Sequence, residues 1–121
     1  MNSPYITPGL PTANRHQSLI NALTGYVAES HKVKASDIKS QSRKDTVKQP
    51  RFICMYMLRK FTDLSLREVA GAYSKKSHGT VLNAVEDVEY TMGLTSAKAK
   101  YLRNYIKELE KKFITSKYLV S

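Results

Sequence analysis

Apolar residues recur three and four positions apart along most of this chain, and no stretch of useful length alternates with period two. That pattern excludes a sheet-built core and predicts an all-α fold: a compact bundle of about five to six helices in one domain. From Ala13 to Ser30 the stripe is Leu19, Ile20, Leu23, Tyr26 and Val27. Ser36 is a cap candidate for a brief helix, Asp37–Lys39. Gln49–Asp63 carries Ile53, Met57, Leu58 and Phe61 on one face, with Pro50 expected in its first turn, where a missing N–H is harmless. Ser96 caps a last helix from Ala97 to about Ser116. With 121 residues and 41% hydrophobic composition, such a bundle buries enough surface to fold alone.

The strongest local signals lie in the middle. Ser65-Leu66-Arg67-Glu68 has the form of a capping box, in which the Ser hydroxyl takes the Glu68 N–H and the Glu carboxylate takes the Ser65 N–H. The helix it opens is short, with Leu66, Val69, Ala70 and Tyr73 as its buried stripe. A polar turn, Ser74-Lys75-Lys76, leads to Ser77, a second N-cap. The helix after it is expected to bury Val81, Leu82, Val85 and Val88 and to end near Gly93 as its C′ residue. A short helix, a polar turn and a longer helix form a helix-turn-helix, placed at 65–92 within a helical domain of 13–117. Residues 1–12 hold three of the four prolines and no periodicity, which predicts a flexible N-terminal tail.

Charge points to the partner. The chain carries 20 Lys and Arg against 10 Asp and Glu, a net +10. Nine bases against two acids between His31 and Lys60 supply +7 of it, whereas Val85–Ser121 is nearly balanced. A concentrated excess beside a helix-turn-helix reads as a phosphate-facing stripe. The first turn of the second helix, Ser77-His78-Gly79-Thr80, presents short polar side chains that suit entry into a major groove about 12 Å wide.

His31–Ala84 resembles the C-terminal DNA-binding domain of DnaA, the bacterial replication initiator, and the resemblance extends over Leu19–Val88. The matching stretches are VAESHKVKASDIKSQSRK, VKQPRFICMYMLRKFTDLSLREVAGAY and SHGTVLNAV. That family has an R-P-R helix start, S-L-x-E-I-G-x-x-F and the signature G-G-R-D-H-T-T-V-L-H-A, on an all-helical fold with a helix-turn-helix of the Trp-repressor type. The resemblance implies major-groove contacts from Lys76, Ser77, His78, Gly79 and Thr80. It further implies a minor-groove contact from Arg43 and a phosphate contact from Arg59. Charge adds Lys48, Arg51 and Lys75 to the phosphate set. His78 and Thr80 keep the family's residues. Lys76, Ser77 and Gly79 depart from its Arg, Asp and Thr. Ser74 and Lys75 stand for its two glycines, Asp45 for a base, and Gln49 for the first Arg of R-P-R. The family's target sequence is therefore not carried over, because side chains suited to guanine and cytosine are gone.

Other classes fit poorly. No G-x-x-x-x-G-K-[ST] occurs in these residues, so no phosphate loop or ATPase module is expected. No acid/base pair or metal cluster is visible. His16 and His31 lie far from His78, and Cys54 reads as a small core residue. The expectation is therefore no enzyme, no cofactor, no metal and no small-molecule substrate. Double-stranded DNA is the expected partner, with a protein partner left open. No run approaches the roughly 18 apolar residues of a membrane span, and no signal peptide is seen, which predicts a cytoplasmic, nucleoid setting, bacterial or of a phage or mobile element. Ala99, Leu102, Ile106, Leu109 and Phe113 form a seam that packs within the domain or, in the alternative, supports a homodimer through the C-terminal helix. The competing function is a protein-interaction adaptor that keeps the fold with only non-specific DNA binding.

Overall fold

A computed structural model describes residues 16–42, 44–75 and 77–114. The tail expected over 1–12, Arg43, Lys76 and the stretch past Ile114 lie outside the described residues. Six α-helices follow in order, with no strand among the described residues: α1 Gln17–His31, α2 Ala35–Ile38, α3 Asp45–Phe61, α4 Leu66–Ala72, α5 His78–Met92 and α6 Ala97–Leu109. A π-type turn, Glu110–Ile114, continues α6.

The core is built around α3. Every residue from Pro50 to Leu58 is buried, because α1, α2, α4, α5 and α6 all pack against this helix. The single apolar face expected there is too narrow a reading: a helix enclosed by neighbours is buried all round. Its start also differs. The helix begins at Asp45, not Gln49, so Pro50 sits inside it. The missing Pro50 N–H leaves the Thr46 carbonyl without its helical donor, at a residue that is exposed.

Around α3, Leu19, Leu23 and Val27 of α1 and Val81, Ala84 and Val88 of α5 are buried. Burying each Leu or Val contributes about 1.5–3 kcal/mol, which fastens these helices to the core. Leu82, expected in that set, is instead 49% exposed. The α6 seam is buried throughout, and Phe113 meets the Tyr26 ring edge to face with centroids 5.6 Å apart. The apolar face that left a homodimer open is thus packed into this chain's own core.

Two helix ends have the same form. After α1, Val33 N–H bonds the Ala28 carbonyl and Lys32 N–H bonds Glu29, with Lys32 at φ 57. After α4, Lys75 N–H bonds Ala70 and Ser74 N–H bonds Gly71, with Ser74 at φ 59. Both are Schellman ends, with a left-handed residue at C′. Gly93, expected in that role after α5, is right-handed at φ −80.

Candidate nucleic-acid interface

The basic loop between α2 and α3 is organised from within. Arg51, the second residue of the Pro50-Arg51 pair, turns its guanidinium inward and is 5% exposed. Its Nε donates to the Ile38 carbonyl at 2.8 Å, Nη1 to Ser42 at 3.0 Å, and Nη2 to Asp37 at 2.9 Å and Ser40 at 3.0 Å. Four of its five N–H groups are therefore occupied by carbonyls at the end of α2 and in the loop that follows it. Burial lowers its pKa, but a guanidinium keeps its charge, and the carbonyl dipoles surround it. The assignment of Arg51 to phosphate is corrected here: the side chain is a clasp that shapes the loop leading into residue 43. Ser40 Oγ donates to the Asp37 carbonyl and accepts from Ser42 N–H, which tightens the same loop.

The first helix of the helix-turn-helix is held at both ends. Ser65 Oγ accepts from Glu68 N–H at 3.1 Å, and Glu68 Oε1 accepts from Ser65 N–H at 2.9 Å, so the capping box forms as read. At the far end Tyr73 is fully buried, and its hydroxyl pairs with Thr24 Oγ1 of α1 at 2.8 Å. Ser74 then carries the left-handed turn, and its Oγ donates to the Lys39 carbonyl at 2.6 Å. That bond joins the turn to the end of α2, beside the loop that Arg51 clasps. Sequence reasoning missed this link. The only local signal was a serine where the resemblance has glycine.

At the start of α5, Ser77 Oγ accepts from Gly79 N–H at 3.0 Å, as the N-cap reading required. His78 and Gly79 are exposed and Thr80 is half-buried. Two other expected cations, Lys48 in the first turn of α3 and Arg59 in its last, are exposed. Lys48 Nζ lies 5.6 Å from the Phe52 ring centroid, and Arg59 Nη1 donates to the Leu64 carbonyl at 3.3 Å. A groove of about 430 Å³ runs between α3 and α5, lined by Arg59, Lys60, Leu82, Val85 and Glu86. Lys60 pairs with Glu89 across it at 3.0 Å. Lys75 is half-buried in the turn. The structure thus brings Ser77, His78, Gly79 and Thr80 to one helix end, with Arg59 beside the neighbouring groove. It takes Arg51 away from solvent, and Arg43 and Lys76 lie outside the described residues.

Cys54 is fully buried, and burial pushes its thiol from 9.0 up to about 12, so it stays protonated at neutral pH. Among the described residues no group of three His, Cys, Asp or Glu could hold a metal, and no helix is long and apolar enough to cross a membrane.

A family described as the bacterial dnaA protein helix-turn-helix matches residues 20–88, more than half the chain. The chain belongs to the DnaA helix-turn-helix family. The chromosomal replication initiator protein DnaA of Gloeobacter violaceus is 40% identical over 90 residues, 74% of this chain and 20% of that protein. The same protein of Bdellovibrio bacteriovorus is 41% identical over 70 residues, covering 58% and 15%. A solved structure, described as a DNA replication initiation factor, superposes with a TM-score of 0.69 at 28% identity, covering 88% of this chain and 31% of that one. The chain spans about a fifth of the length of the curated relatives it matches.

Against the DnaA signature, the departures now have a geometry. Ser74 occupies the position whose positive φ explains the family's glycine. Ser77, in place of Asp, still caps the helix. Gly79, in place of Thr, leaves the helix surface bare: a Cβ there would meet only Ser77 Oγ, at 3.2 Å.

Proposed function

We propose that this chain binds double-stranded DNA with sequence preference, inserting the start of α5 into the major groove. The observation that carries the reading is the exposed polar first turn of α5, capped by Ser77 and mounted on a DnaA-type helix-turn-helix. His78 and Thr80 read bases, with Ser77, Gly79 and Lys76 lining the same approach. Arg43 enters the minor groove from the loop that Arg51 shapes. Lys48, Arg59 and Lys75 hold phosphates. The role that goes with such contacts is occupation of a DNA site in replication or transcription control. A cytoplasmic, nucleoid setting goes with that role.

Selection from a random duplex pool at about 150 mM salt, which suppresses purely electrostatic binding, tests the reading. The expected result is a defined motif. His78→Ala and Thr80→Ala should each weaken binding to that motif about tenfold and leave binding to random duplex nearly unchanged, whereas Arg59→Ala should weaken both. Recovery of no motif, with retained low-salt binding, would replace this reading with the adaptor one.

A further inference from the structure

We propose that Asn83 is a base-reading residue of α5, specific for adenine, which Gly79 makes accessible. The inference rests on the DNA-binding reading above. Buried Val81, Ala84 and Val88 define the inward side of α5. Gly79, Asn83, Glu86 and Tyr90 are exposed on the opposite side at steps of four and three. Helical side chains lean toward the N-terminus, so the Asn83 carboxamide overlies the turn that holds position 79. That position has no side chain, and a Cβ added to it would meet nothing but Ser77 Oγ. Asn83 therefore faces solvent over bare backbone, one turn after Thr80. Its carboxamide makes no hydrogen bond to the other described residues.

Asparagine offers one acceptor and one donor in the spacing that matches N6 and N7 of adenine in the major groove. The charge along α5 sets the limit of the reading surface. The exposed residues after Asn83 include Glu86 and Asp87, whose carboxylates repel the phosphates on either side of a groove. The neutral, groove-facing part of α5 thus ends at Asn83.

The test is the same duplex selection with the full chain and with Asn83→Ala. The wild-type motif should contain an adenine position that becomes indifferent in Asn83→Ala while the remaining positions keep their preferences. Affinity for the best site should fall about tenfold, and affinity for random duplex less than about twofold. Replacing that adenine by 7-deaza-adenine, which lacks the N7 acceptor, should weaken the wild type about fivefold and leave Asn83→Ala unaffected. A motif unchanged in Asn83→Ala, or equal losses from 7-deaza-adenine in both proteins, would overturn this inference and leave the DNA-binding reading intact. No motif from the wild type would overturn both. Asn83 is exposed and makes no hydrogen bond among the described residues, so matching thermal melts of the two proteins check that the fold is unchanged.

Discussion

Arg51 has the composition of a DNA contact and the environment of a core residue. Its planar fork reaches four carbonyls, two at the end of α2 and two in the α2–α3 loop, a task a single ammonium cannot perform. Arg51→Lys and Arg51→Ala should therefore both destabilise the protein by about 2–4 kcal/mol, because the charge alone does not rescue the lost bonds. In thermal melts that is a fall on the order of 10 °C, and an Arg51→Lys melt at the wild-type temperature would refute the clasp. Ser74 is the second case. Its backbone is left-handed, a conformation that costs a non-glycine residue about 1 kcal/mol, and its hydroxyl gains the Lys39 carbonyl in return. Ser74→Ala keeps the strain and loses the bond, so it should lower stability by about 1 kcal/mol. Ser74→Gly loses the bond but relieves the strain, and should fall close to wild type. Urea unfolding of the three proteins gives the order directly. Neither residue's role was legible in the sequence: a guanidinium's partners and a serine's φ are set by chain segments far away.

At the scale of the element, α4 is the informative case. Seven residues are too few to hold a helix alone, so its ends and its neighbours must supply the stability. The capping box closes one end, the Schellman turn the other, and buried Tyr73 fastens it to Thr24 of α1. Ser65→Ala should remove about 1 kcal/mol of that support. Hydrogen exchange should then show α4 amides about fivefold less protected, and unchanged protection would mean the box adds nothing. This element was readable in advance because capping residues act within four positions of each other. The start of α3 was not, since Lys44 makes no side-chain cap and Pro50 is held inside the helix by packing. The exposure of Leu82 was missed for a related reason. Periodicity marks a stripe, but the groove beside Arg59 and Lys60 leaves part of that stripe uncovered.

For the whole molecule, one core ties the helix-turn-helix to proton chemistry. Cys54, Tyr73 and Thr24 meet where α3, the end of α4 and α1 converge, and burial raises the Cys54 thiol to about 12. The unfolded chain releases that proton near the ordinary value of 9.0, so stability from this group is intact below pH about 8 and is lost as pH rises above 9. Tyr73, raised for the same reason, acts in the same direction. The stability difference between wild type and Cys54→Ala should therefore narrow by about 1 kcal/mol between pH 8 and pH 10, measured by urea unfolding. A constant difference would show that Cys54 is not shielded. Much of this protein was determined by sequence alone: helical class, the capped helix-turn-helix, the basic excess and the DnaA resemblance depend on neighbours a few residues apart or on composition. Only the tertiary structure decided that Arg51 clasps a loop, that the α6 seam closes on its own core, and that Ser74 ties the turn to α2. Each of those depends on which distant carbonyl or apolar face the folded chain brings within reach.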